Sequence, residues 1–165
     1  MTEEYRSDAA LVAGERTQIE AFLHDNRREL AGLLDGLTEE QARRRQVPSV
    51  TTLLGLVKHA AYVERSWFEL ALAGRSRAEV GLREVGADSF ALTEHDTIAS
   101  VLADYRRAWA DADRTAAAYG LDDLALHNRR GPLSLRWILL HLIEEPARHA
   151  GHGDILREQI LAAAV

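Results

Sequence analysis

The 165-residue chain is 47% hydrophobic and 28% charged, with a formal net charge of −6 and no cysteine; it is long enough for one self-sufficient core, and disulfides, thiolate metal sites and a cysteine nucleophile are excluded. The acidic balance and the scattering of its basic residues argue against a nucleic-acid binder, which clusters Lys and Arg on one face. No run of about 18 apolar residues occurs and the opening Met-Thr-Glu-Glu-Tyr-Arg is charged, so neither a membrane span nor a secretory segment is expected, and residues 1–165 read as one cytoplasmic domain.

The first periodic stretch covers 15–37, with Ile19, Phe22, Leu23, Leu30, Leu33 and Leu34 at three- and four-residue spacings, and predicts an amphipathic helix. Thr38 and Gln41 then have the spacing of a capping box and open a short helix that stops before Pro48, with Arg43, Arg44 and Arg45 on its solvated side. A second long helix is expected from a cap at Ser49 or Thr51 through His59, Tyr62, Trp67 and Phe68 to Ala73, where Gly74 ends it. Residues 75–92 lack a period and contain Gly81, Gly86, Asp88 and Ser89, so they predict a long irregular connection.

A third helix is expected from Thr93, with Asp96 three residues on, through Val101, Tyr105 and Trp109 to Tyr119. After a linker closing on Gly131-Pro132, Ser134 is placed to cap a last helix built on Leu135, Ile138, Leu142, Leu156 and Ile160. Pro146 falls inside it; the composition beyond stays helical, so the helix should continue with a kink. Four long helices and no convincing strand predict an all-α bundle, an architecture that hosts metal sites between facing helices.

The last helix also carries chemistry. His141, Glu145, His149 and His152 lie within about 80° of arc on one face, and His59 sits on an apolar helix able to pack against it. Several unligated imidazoles beside a carboxylate would be costly in a partly buried groove, and a divalent cation removes that cost. His149 and His152 are the preferred pair to join His59; Glu145 and His149 are the competing pair. Nitrogen and oxygen ligands suit Zn²⁺, Ni²⁺ or Fe²⁺ and leave a coordination position open. Glu64, Glu144 and Asp154 are either outer acceptors for these ligands or simply exposed. Lone histidines elsewhere (His24, His95, His127) read as core or rim residues bonded to backbone.

Two stretches, Leu-Leu-Gly-Leu-Val-Lys-His-Ala-Ala-Tyr-Val-Glu-Arg-Ser-Trp-Phe at 53–68 and Arg-Trp-Ile-Leu-Leu-His-Leu-Ile-Glu-Glu-Pro-Ala-Arg-His-Ala-Gly-His-Gly-Asp-Ile-Leu-Arg-Glu at 136–158, resemble the signatures of a short actinobacterial branch of the DinB-like superfamily. The resemblance implies an up-down-down-up four-helix bundle, often dimeric, with a divalent metal held by one histidine of helix 2 and two ligands of helix 4. His59 matches the first and His152 the final helix 4 histidine. Where many members place a histidine four residues before it, this chain has Arg148, which leaves His149 or the Glu145–His149 pair of mycothiol-dependent maleylpyruvate isomerases.

Relatives of this kind use low-molecular-weight thiols such as mycothiol or bacillithiol, the metal activating the sulfur. The implied activity is a metal-dependent thiol S-transferase acting on small electrophiles in a pocket lined by Trp67, Trp137 or Tyr62; the alternative is a non-catalytic metal- or small-molecule-binding stress protein. Apolar faces on four helices, with Trp67, Trp109 and Trp137 spread among them, also predict a homodimer.

Overall fold

The computed structural model of the protein describes residues 4–82 and 88–163; Gly86, part of the expected irregular connection, lies outside them. A short helix α1 (Arg6–Ala9) precedes the first long one, α2 (Glu15–Gly32). The two are joined by Asp25, whose buried carboxylate accepts the Arg6 and Ser7 backbone N–H groups at 3.0 and 2.9 Å, where orphan donors face out of a helix start.

Helix α3 (Glu39–Arg43) opens with the reciprocal Thr38–Gln41 capping box that its sequence predicts. Helix α4 (Leu53–Glu64) is capped by Thr52 instead of Ser49 or Thr51, whose hydroxyls bond each other at 3.0 Å in the preceding turn. The expected second helix then changes winding: Arg65–Leu72 form a π-helix, ending as expected at Gly74, with φ +71°. The start and the middle of this segment are tethered to the next helix, α5 (Ile98–Ala116). Arg65 forks onto Asp104 at 2.9 and 2.7 Å, and Glu69 accepts the Thr115 hydroxyl at 2.7 Å. Such tethers hold a wider turn that local propensity would not choose.

Helix α5 starts four residues later than predicted. Thr97 and Ser100 form its capping box, while Asp96 closes a separate turn by accepting the Thr93 N–H at 2.5 Å and its hydroxyl at 2.9 Å. The following linker holds a structure the sequence did not suggest, a two-residue antiparallel pairing of β1 (Leu124–Ala125) with β2 (Leu133–Ser134). Helix α6 (Leu135–Ala162), capped by Ser134, runs on through Pro146 as its downstream composition predicts.

Helix α2 lies against α6 and α4 against α5, and α4 also meets α6. Apolar side chains fill two regions, one around Leu30, Leu54, Val57, Tyr105 and Ile160, the other around Leu23, Phe68, Leu135, Ile138 and Leu142. Each fully buried Leu, Ile or Phe contributes roughly 1.5–3 kcal/mol. Between the two regions, along both α2 and α4, sits a buried ion pair of Arg27 and Glu64. Among the described residues no helix is long and apolar enough to cross a membrane.

Candidate metal centre

Helix α4 presents His59 towards α6, where Glu145 and His149 stand one turn apart. The Glu145 Oε1 atom lies 3.1 Å from His59 Nε2 and 3.0 Å from His149 Nε2. One ligand atom from each residue falls within 4.8 Å of the other two. All three side chains are mostly buried, at 13–17% exposure, so solvent screens their interactions weakly.

The connection after the π-helix completes the surroundings of His59. Ser89 Oγ is 2.7 Å from its Nδ1. Phe90 stacks on its ring with centroids 3.9 Å apart and planes 13° apart, and meets His149 edge-on at 5.7 Å. Tyr62, one turn along α4, lies 6.3 Å away in a stacked orientation. Phe90 in turn rests on α4 itself: a Cβ on Gly55 would come within 2.8 Å of the Phe90 carbonyl oxygen, so only glycine allows this approach.

Hydrogen bonds from His149 and His59 hold the Glu145 carboxyl well below the usual carboxylate range, outweighing the opposing effect of burial. The carboxylate is therefore ionised throughout the physiological range. Two imidazole nitrogens and one anionic oxygen form a donor set suited to a borderline divalent cation. Tetrahedral zinc with ligand bonds of 2.0–2.1 Å needs donor atoms about 3.3 Å apart, within a few tenths of an ångström of the two separations at Glu145. The Ser89 contact fits as well: when its hydroxyl accepts from His59 Nδ1–H, the Nε2 lone pair is left for the cation. The buried Nδ1 of His149 has no hydrogen-bond partner among the described residues.

His152, expected to share the centre with His149, stands outside this group. It is exposed, and its ring centroid lies 6.0 Å from that of His149. The reason is level along the helix axis. Stacking on Phe90 and the bond to Ser89 fix His59 beside the Glu145–His149 turn, and three further residues carry His152 about 4.5 Å beyond it. His141 is directed elsewhere and stacks on Trp137. Of the expected outer acceptors, Glu64 is buried against Arg27, whereas Glu144 and Asp154 are exposed and Glu144 pairs with Arg148.

Of the lone histidines, His24 alone is largely buried, edge-on to Trp109; His95 and His127 are exposed. Ser89 and Phe90 were missed as site residues because they lie in a stretch without period. A local signal exists in Asp88, whose carboxylate accepts the Phe90 N–H at 2.9 Å in an Asx turn.

A comparison with curated proteins gives no match. The family model described as mycothiol-S-transferase matches residues 18–162. That match takes in α4, the connection bearing Ser89 and Phe90, and all of α6, and the chain therefore belongs to the mycothiol S-transferase family of the DinB-like superfamily.

Proposed function

We propose that the protein is a single-domain, metal-dependent S-transferase that joins a low-molecular-weight thiol of the mycothiol type to a small electrophile, with His59, Glu145 and His149 as metal ligands. The observation that carries this reading is the approach of two imidazole Nε2 atoms to one ionised carboxylate oxygen at 3.1 and 3.0 Å. A bound Zn²⁺, Ni²⁺ or Fe²⁺ supplies Lewis acidity that lowers the pKa of a thiol sulfur. The remaining work belongs to the chain. Ser89 holds the rotation of His59 and would accept its Nδ1–H when Nε2 is turned to the cation, Phe90 shields one imidazole face from water, and the Glu145 charge offsets that of the cation.

Transfer breaks the thiol S–H bond, the proton passing to solvent, and forms an S–C bond. A leaving group departs with its electron pair; in a conjugated acceptor the π pair moves to the neighbouring carbon, which then takes a proton from water. The same reading includes the up-down-down-up connectivity of the bundle, a cytoplasmic location and a homodimer. Exposed Phe22 on α2 and Leu140 and Ile155 on α6 support the last.

The test is thiol consumption. Zinc- or nickel-loaded protein should accelerate loss of free mycothiol in the presence of a haloalkyl electrophile, and chelation or His59→Ala should return the rate to background. Stoichiometric metal without acceleration would make the protein a metal binder without turnover.

A further inference from the structure

The contact between α4 and α6 continues beyond the candidate metal centre. His59 faces Glu145 and His149, and eight residues further on Trp67 faces Trp137 and His141, so the two helices run antiparallel with paired levels. The indoles of Trp67 and Trp137 are 5.2 Å apart and tilted by 57°; His141 stacks on Trp137 at 5.0 Å and meets Trp67 edge-on at 5.2 Å. Trp137 remains 37% exposed. His141 and Glu145 are four residues apart on α6, which places this cluster about 6 Å, one helical turn, from a metal ligand.

A cation completes the cluster. Arg130, from the loop between β1 and β2, lies over both indoles, 5.5 Å from Trp137 and 6.0 Å from Trp67. Its loop is held in place: Asn128 accepts the Arg130 N–H at 2.9 Å and donates to the Ala125 carbonyl, while the His127 N–H reaches the Ala71 carbonyl in the π-helix. Among the described residues no carboxylate pairs with Arg130, in contrast to Arg27, Arg65 and Arg136. A guanidinium stacked on indoles keeps its fork of N–H donors free for a planar anion.

We propose that Trp67, Trp137, His141 and Arg130 form the subsite for the electrophile, and that it selects planar conjugated molecules carrying a carboxylate. The aromatic rings take the flat carbon skeleton, and Arg130 takes the carboxylate through paired hydrogen bonds. The assignment rests on the S-transferase reading for the word electrophile; the binding preference itself does not.

The test uses cinnamate, cinnamyl alcohol and methyl glucoside as probes, titrated calorimetrically into the full chain with and without zinc. Cinnamate should bind about ten-fold tighter than the alcohol, the lower end for a hydrogen bond to a charged group, and the preference should persist without metal. Arg130→Gln should abolish the preference, and Trp137→Leu should weaken both cinnamyl probes, each variant retaining the zinc stoichiometry of the wild type as proof of an intact fold. Equal binding of acid and alcohol, a preference that survives Arg130→Gln or vanishes with the metal, or selective binding of the glucoside would each overturn the assignment. Because no thiol is present, absent turnover leaves this result untouched, and a failed preference leaves the thiol-consumption result untouched.

Discussion

Arg27 grips Glu64 with two prongs, Nε and Nη2 each 2.7 Å from one carboxylate oxygen, and both side chains are 2% exposed. Arg27 also reaches Asp113 at 2.7 Å and lies over Trp109. Removing one partner of such a pair strands a buried charge. Glu64→Leu should therefore cost about 3 kcal/mol or more in denaturant-measured stability, whereas Arg27→Met combined with Glu64→Leu should recover most of the loss. A single substitution costing under about 1 kcal/mol would mean that solvent reaches the pair.

The ligand assignment is tested by paired substitutions. His59→Ala, Glu145→Gln and His149→Ala should each remove stoichiometric zinc or nickel binding, while His152→Ala should keep it, with affinity changed by no more than roughly the ten- to hundred-fold typical of outer residues. Ser89→Ala should fall within that same range, since it loosens His59 without removing a ligand. Stoichiometry lost in His152→Ala and kept in Glu145→Gln would restore the histidine pair first expected from the sequence.

Lys58 and Asp96 give an acid-sensitive contribution to the wall of the site. Burial raises the Asp96 pKa, but its bonds to Lys58 and Thr93 outweigh this and hold the carboxyl below its ordinary value. Lys58 also donates to the Ala91 carbonyl at 2.8 Å, next to Phe90. A carboxyl whose folded pKa is depressed stabilises the fold above its unfolded pKa of about 3.9, and that contribution is lost as pH falls through the folded value. Asp96→Asn should cost about 1–2 kcal/mol at pH 7, and the gap from wild type should close as the pH drops below about 3.9. A gap independent of pH would assign the effect to packing.

Gly55 tests the seating of Phe90. In Gly55→Ala the new methyl meets a backbone carbonyl, which cannot swing aside like a side chain, so Phe90 must lift from His59. The cost should be about 1–3 kcal/mol, accompanied by weaker zinc binding. Unchanged zinc affinity at reduced stability would show that Phe90 does not help position the ligand.

Assembly is measured directly. Light scattering at micromolar concentration should give twice the mass of the 18.3 kDa chain. Asp replacing Phe22 or Ile155 should shift the mass towards one chain, since a buried unpaired carboxylate opposes association. A single-chain mass in the wild type would remove the dimer.

Much of the helical architecture is legible in the chain because apolar spacing, the Thr38–Gln41 box and Ser134 all act within a few residues of one another. The same holds for the ligand stripe on α6. What is not legible depends on partners distant in sequence. Glu64 reads as an exposed charge until Arg27 arrives from α2. The choice between Glu145 and His152 rests on the level of His59, which Phe90 and Ser89 set from a stretch with no period. The π winding is invisible because Arg65–Leu72 has ordinary helical composition, and its tethers, Asp104 and Thr115, lie on another helix.

That change of winding separates two inheritable properties of one helix. Ahead of Arg65, α-helical geometry sets the position of His59; beyond it, π geometry decides which way Trp67 turns. A single-residue deletion within 65–72 that restored α-helical winding would rotate the indole away from Trp137 and leave the imidazole where it is. On the proposed function, change in this eight-residue segment would therefore alter what the Trp67–Trp137 face contacts while leaving the His59, Glu145 and His149 group in place.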